Sequence, residues 1–237
     1  MMTIDDLPDQ LRPQTAPGVW ERVLGHSTFT GRILNAGAGR GGMSVLLQSR
    51  GAEVISVDLH PEHFCAPGME CLRQDVQDPL TFEDGSFDAV IAIEVMEHLE
   101  SPWFFFREAI RVLKPGGQFI FTSPNVESLV ARIEMLRGRS FPYFREPSFK
   151  GCYHVTPIFE WQVRRCCTTT TADFVEVSYS RVGWPDKQDV PRNWVPRLHR
   201  LLWSVLPCGK LFGETSVYVV KKTAERHPEV AVGIHYA

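Results

Sequence analysis

Asn35-Ala-Gly37-Ala-Gly39-Arg-Gly41-Gly42 sits between two segments of different period. Before it, residues 32–36 form a short apolar run that reads as a strand. After it, Met43, Leu46, Leu47 and Arg50 recur at helical spacing until Gly51 stops the helix. Glycines in such a turn let the backbone fold tightly and bring its N–H groups close to a ligand. The same alternation continues outward from this point. Residues 54–57 read as a second strand that stops at Asp58, and residues 70–74 as a third, weaker one. Residues 87–93 are continuously apolar, as a central strand buried on both faces must be. Residues 102–113 predict a helix ended by Lys114-Pro115-Gly116-Gly117, and residues 118–123 a fifth strand. Strands alternating with helices predict an α/β fold on a parallel sheet.

After Pro124 the pattern changes. Residues 125–156 are richer in Arg, Phe and Pro and read as an insertion with one helix, 126–136. A helix over 159–171 and a strand over 174–182 follow, then a second insertion, 184–213, and a last strand, 215–220. Two strands joined in this way can lie antiparallel at a sheet edge. The expected organisation is one domain, 1–222, whose insertions form an acceptor pocket or lid, with 223–237 as a loose tail. No internal repeat or low-complexity tract interrupts it.

With 237 residues, 43% hydrophobic and 22% charged, the chain has the composition of a globular domain with a full core. No apolar run approaches the roughly 20 residues of a membrane span. The N-terminal stretch is acidic and lacks the basic-then-apolar pattern of a secretory signal. The six cysteines include no C-x-x-C pair. A reduced, cytoplasmic setting is the expectation. The net charge of −3 hides an asymmetry: residues 1–100 hold six basic and sixteen acidic side chains, the remainder nineteen and twelve. The positive half would suit an anionic acceptor or simply a solvated face.

The G-x-G-x-G spacing leaves little room for a pyrophosphate at the helix N-terminus, unlike a dinucleotide loop. Asp58, at the end of the next strand, stands where a carboxylate can accept from both hydroxyls of a ribose, or where it can cap a turn before Pro61. Further blocks follow in order: Gln74-Asp75-Val76, Asp84-Gly-Ser86-Phe87-Asp88, Glu94-Val-Met-Glu97-His98-Leu99 and Arg111-Val-Leu-Lys-Pro115-Gly116-Gly117. Together with the glycine loop these resemble the class I S-adenosylmethionine-dependent methyltransferase superfamily across roughly residues 30–125. The resemblance implies a Rossmann-like, seven-stranded, mostly parallel sheet with helices on both faces and an antiparallel last strand. It implies S-adenosyl-L-methionine as cofactor, held by Asn35, Gly37, Ala38, Gly39, Gly41, Asp58, Leu59, Asp75, Val76 and Glu94. Asn35 departs from the acidic residue usual before the loop, which removes the charge-assisted part of a contact to the methionine ammonium.

An oxygen acceptor needs its proton removed or its charge stabilised by a metal. His154 and His98 are the candidate catalytic residues, with Tyr153 a weaker base. Glu94, Glu97 and His98 are spaced i, i+3 and i+4 and would share a helix face. A similar segment supplies metal ligands in ubiquinone-pathway and small-RNA O-methyltransferases, so Glu94, Glu97, His98 and His154 are a possible divalent metal set. Many metal-independent relatives carry the same segment simply as a helix start. Residues 123–159 resemble, more loosely, methyltransferases of glycan and lipopolysaccharide biosynthesis. Arg132, Arg137, Arg139 and Arg145 would then face an anionic small-molecule, glycan or lipid-linked acceptor, or solvent.

Trp194, Leu198, Leu201, Leu202 and Val205 form an apolar stripe opposite Arg197 and Arg200, suited to a lid or to peripheral membrane contact through 194–212. Three alternatives compete with a small-molecule enzyme. A nicotinamide oxidoreductase would not carry the later blocks, and a silent cofactor-binding subunit finds its support in Asn35. A nucleic-acid methyltransferase is disfavoured by an isoelectric point near 6.2 and the lack of a dense basic tract.

Overall fold

The structure, a computed structural model, describes residues 2–16, 18–26, 29–145, 153–180 and 209–224. Seven strands form one sheet: β1 (Gly31–Ala36), β2 (Ala52–Asp58), β3 (Cys71–Arg73), β4 (Phe87–Ala92), β5 (Leu113–Pro124), β6 (Ala172–Tyr179) and β7 (Thr215–Lys222). Their order is β3-β2-β1-β4-β5-β7-β6, and only β7 runs antiparallel to its neighbours. This is the Rossmann-like, mostly parallel sheet anticipated from the sequence.

Side chains alternate across the sheet, so each strand feeds two cores. Leu34, Val90, Phe119 and Phe121 pack against α3 (Pro102–Val112) on one face, through Phe105, Phe106 and Ala109. α5 (Glu160–Thr169) joins them there through Val163 and Cys167. Ile33, Ile91, Ile120 and Val219 face the other way. They meet α1 (Val19–Gly25), α2 (Gly42–Gln48) and the N-terminal Leu7 and Leu11. β6, the edge strand, is fastened to the end of α1 by His26, whose Nδ1 lies 2.8 Å from Glu176 and Nε2 3.3 Å from Ser178.

The amino ends of β4 and β5 are stapled by charge. Asp88 accepts from the Arg32 amide at 2.8 Å and from Lys114 Nζ at 2.8 and 2.9 Å. The Lys114 hydrogen bonds, then that of the Arg32 amide, hold the Asp88 carboxyl below its usual range. Arg111 reaches Asp84 at 2.7 Å and Glu108 at 2.8 Å, and donates to the carbonyls of Phe82 and Leu80.

Several boundaries differ from the sequence reading, each for a local reason. β5 begins at Leu113, not after the glycines. Leu113 already pairs with Phe87 while Gln118 pairs with Ala89, so Lys114 to Gly117 bulge out of the ladder. The helix expected over 126–136 is α4 (Leu129–Leu136). Asn125 accepts from the Glu127 amide at 3.1 Å to make a turn, and the Ser128 hydroxyl caps the helix at Ala131. The strand expected over 174–182 starts at Ala172, and residues 181 and 182 lie outside the described residues.

Candidate active site

The strand order reverses direction between β1 and β4, and a parallel sheet opens a crevice at such a switch point, outside the carboxyl ends of its strands. The glycine loop leaves β1 into this crevice. Gly37 and Ala38 donate to the Val57 carbonyl at 2.9 and 3.0 Å, which anchors the loop on β2. Gly37, Gly39 and Gly41 all have positive φ, at 69°, 53° and 93°. A Cβ on Gly37 would stand 2.4 Å from Val95 Cγ2, and one on Gly41 2.6 Å from the Phe64 ring. Gly39 is different, because nothing lies within 4 Å of its missing Cβ, which leaves its surface open to a ligand.

Asp58 closes the second side of the loop. Its Oδ2 accepts from the Gly39 amide and its Oδ1 from the His60 amide, both at 2.8 Å. The adjacent Leu59 is 47% exposed. Asp75 follows β3 and accepts from the Gln77 amide at 2.9 Å in a tight turn, while Val76 is buried in the α3-side core. Asn35 points under α2, where its Nδ2 donates to Ser44 Oγ at 2.8 Å and Ser44 lies 2.8 Å from Ser56 Oγ. A neutral amide suits this buried chain of uncharged groups, where a carboxylate would carry a desolvation penalty.

On the β4 side the helical reading of the Glu94–His98 segment is corrected. Glu94 has φ 53° and lies outside any helix, and only Met96–His98 form a single 3-10 turn. Thr122, at the end of β5, captures Glu94: its hydroxyl lies 2.8 Å from both the Glu94 amide and the Glu94 carboxyl. Burial, reinforced by the charge of Glu214, pushes Glu94 up to about 7 against the Thr122 hydrogen bond. Glu97 is 0% exposed and neither of its carboxyl oxygens meets hydrogen-bond geometry with a partner. Burial and then the charge of Glu94 drive its pKa well up.

His154 reaches this point from 56 residues down the chain because its own strand-like segment docks on the turn. The amides of Val155 and Thr156 donate to the Glu97 carbonyl at 2.9 and 3.0 Å, and the Thr156 hydroxyl donates to the Leu99 carbonyl at 2.6 Å. The rings of His98 and His154 stand edge to face with centroids 4.7 Å apart. Glu97, His98 and His154 each offer a ligand atom, all within 4.8 Å of one another. The possible metal set of four is thus brought together as three, with Glu94 turned to Thr122 instead.

His154 Nδ1 lies 3.0 Å from the Tyr143 carbonyl. A carbonyl only accepts, so Nδ1 carries the proton and the lone pair of the neutral ring is on Nε2. Burial, and after it the proximity of His98, lowers His154 to about 4, against the pull of the Tyr143 bond. Tyr153, 64% exposed with φ 56°, makes the turn into this segment.

From the histidines an arc of rings runs outward, His154 to Phe144, Phe141 and Phe159. It ends at a cavity of about 460 Å³ lined by Val126, Arg132, Met135, Leu136, Phe141 and Phe159. The four arginines of this region do not act alike. Arg137, Arg139 and Arg145 pair with Glu134, at 3.6, 3.3 and 2.5 Å, and Arg132 lines the cavity. The apolar stripe from Trp194 to Val205 and most of the 184–213 insertion lie outside the described residues, as does the tail beyond Ala224. No helix among the described residues is long and apolar enough to cross a membrane.

Thr122, Tyr143 and Glu214 take part in the site without having been singled out by sequence. Thr122 stands just before Ser123-Pro124-Asn125, which the sequence marks only through the looser resemblance over 123–159, and nothing in the spacing of Tyr143 or Glu214 marks them.

Comparison with known proteins agrees with this geometry. A family profile described as a methyltransferase domain matches residues 34–121. The ubiquinone biosynthesis O-methyltransferase of Xanthomonas oryzae pv. oryzae is 34% identical over 103 residues, covering 40% of this chain and 43% of that protein. The chain therefore spans less than half the length of the curated relatives it matches. Among solved structures, a SAM-dependent methyltransferase from Archaeoglobus fulgidus superposes with a TM-score of 0.59 at 19% identity, covering 85% of this chain and 90% of that one. One from Mesorhizobium loti gives 0.61 at 15% identity, covering 86% and 95%. These last two likenesses concern the fold. Residues 34–121 of the chain thus match a methyltransferase domain, and the fold is the one found in SAM-dependent methyltransferases.

Proposed function

We propose that this chain transfers a methyl group from S-adenosylmethionine to an oxygen of a small-molecule, glycan or lipid-linked acceptor. The observation that carries this is the meeting of Glu97, His98 and His154 beside an open glycine loop. Gly37, Ala38, Gly39 and Gly41 offer a surface for the donor. Asp58 with Leu59 would take its ribose, Asp75 with Val76 its adenine, and Glu94 would border its reactive end. Asn35 supports the loop from below. In the reaction the acceptor oxygen bonds to the methyl carbon as the carbon–sulfur bond breaks, leaving S-adenosylhomocysteine and the acceptor proton.

Where that proton goes turns on His154. A pKa lowered to about 4 leaves its Nε2 lone pair free at neutral pH but makes it a weak base, because a general base works best near the operating pH. Two imidazoles and a buried carboxyl group whose oxygens meet no hydrogen-bond geometry suit a divalent cation. Glu97, His98 and His154 would hold it, and it would supply charge stabilisation for an acceptor alkoxide or phenolate. The 125–145 region, with its arc of rings and apolar cavity, would wall the acceptor.

Radiolabelled methyl transfer to phenols, sugar nucleotides and lipid-linked glycans tests the reading in wild type, in wild type with EDTA and in His154→Ala. Loss under both perturbations supports the cation. Loss with the mutation alone supports His154 as the base, and normal turnover in His154→Ala refutes both.

A further inference from the structure

Tyr143 meets His154 through its backbone carbonyl, and its side chain is tied down elsewhere. Its hydroxyl donates to Glu214 Oε1 at 2.5 Å, 71 residues away in the turn that enters β7. Glu214 is itself fixed to two strand ends. Its amide donates to the Ser180 carbonyl at 3.3 Å, beyond β6, and its carbonyl accepts from the Asn125 amide at 2.7 Å, beyond β5. The Asn125 side chain adds bonds to the Lys210 and Gly213 carbonyls at 2.8 and 2.9 Å, which hold the same turn. The short 3-10 turn Pro142–Phe144 is thus pinned to the sheet at the far end of one side chain, and its carbonyl is delivered to His154 Nδ1.

We propose that Tyr143 and Glu214 are positioning residues that fix the ring and tautomer of His154, so that the lone pair stays on Nε2. A ring hydrogen-bonded at Nδ1 cannot rotate or shift its proton to Nε2 without losing that bond. Partners of this kind commonly set the orientation of a histidine that ligates a metal or serves a reaction. The assignment rests on the proposed role of His154 for its functional consequence. The state of the ring does not depend on that role and can be read alone.

Two-bond proton–nitrogen correlation spectra of imidazole-labelled protein, free of donor and cation, give the tautomer directly. Wild type should show His154 protonated at Nδ1, and Tyr143→Phe and Glu214→Ala should show mixed tautomers. Glu214→Gln keeps an acceptor oxygen for the Tyr143 hydroxyl and should restore the wild-type spectrum. Zn²⁺ binding, measured by calorimetry on the same variants, should weaken roughly 10- to 100-fold in Tyr143→Phe and Glu214→Ala, the usual cost of losing an outer partner. Binding of S-adenosylhomocysteine should not change in Tyr143→Phe, which leaves the Glu214 charge near Glu94 in place, and this reports an intact fold. A wild-type His154 protonated at Nε2 overturns the proposal, as does an unaltered tautomer in Tyr143→Phe. Failure of methyl transfer with the expected tautomers overturns the functional reading and leaves this one standing.

Discussion

Asp58 offers a test of the donor site whose size follows from its contacts. Each carboxylate oxygen accepts one backbone N–H, from Gly39 and from His60, at 2.8 Å. Asp58→Asn leaves one oxygen for two donors and turns an NH₂ group toward the other. Asp58→Ala removes both acceptors and frees Gly39 from the bond that helps hold it at φ 53°. Hydrogen bonds to charged groups contribute about 1.5–3 kcal/mol when buried, and Asp58 is half-buried. Loss of the ribose contact together with a looser loop should therefore weaken donor binding by about 1–3 kcal/mol. That corresponds to roughly 5- to 150-fold in Kd. Calorimetric titration with S-adenosylmethionine and S-adenosylhomocysteine gives the number. Glu53→Gln is the control, because it removes the same charge from β2 at the opposite end, where Glu53 meets Arg32 at 3.2 Å. Unchanged affinity in Asp58→Ala, or an equal loss in Glu53→Gln, would refute the placement of the ribose.

Three further outcomes follow from the packing around the site. A Cβ on Gly42 would stand 1.9 Å from the Leu11 carbonyl oxygen, so Gly42→Ala must displace the N-terminal segment. Overpacking of that kind should lower stability by about 1–3 kcal/mol in urea denaturation, and an unchanged midpoint would show that the segment is not seated there. Ser44→Ala strips a buried partner from both Asn35 and Ser56, at a cost of about 1–3 kcal/mol; thermal melting checks it, and a shift below half a degree would contradict it. Asp88 titrates below its unfolded value, so its contribution is present above about pH 4 and is lost as pH falls through the folded pKa. Lys114→Met should flatten the acid limb of a pH series of unfolding curves, and limbs parallel to wild type would deny the pair a role.

What the sequence reveals about the site depends on how far apart its partners lie. The glycine loop and Asp58 were legible because the loop is contiguous and the carboxylate ends the very next strand. The Asp84–Asp88 and Arg111–Gly117 blocks were legible too, but as a resemblance whose physical work lay hidden. They staple each other at the amino end of the sheet, away from the crevice, through the Arg111–Asp84 and Lys114–Asp88 pairs. The Glu94–His98 spacing fits a helix on paper, yet the Thr122 hydroxyl takes both the amide and the carboxyl of Glu94, and the helix never starts there. Arg137, Arg139 and Arg145 read as free cations because Glu134, which gathers all three, is one more charge in a run. Tyr143 and Glu214 were invisible, since only the folded sheet brings the β7 turn beside the 3-10 helix.

The same contrast separates the residues inside the matched methyltransferase span from those beyond it. A reversal of strand order between β1 and β4 supplies the crevice whatever the sequence, so the donor half asks only for glycines and a few carboxylates on consecutive strands. All of those residues, from Asn35 to Glu97, fall within the matched span 34–121. The acceptor wall proposed above has no such template. It must be built by the chain that leaves β5 and returns to β7, and there the fold constrains only the two ends. His154, Tyr143, Glu214 and the residues lining the cavity all lie beyond residue 121. The loop and carboxylates offered to the donor therefore lie inside the matched span, while the proposed proton or cation chemistry straddles its end, since Glu97 and His98 fall within it and His154 beyond it.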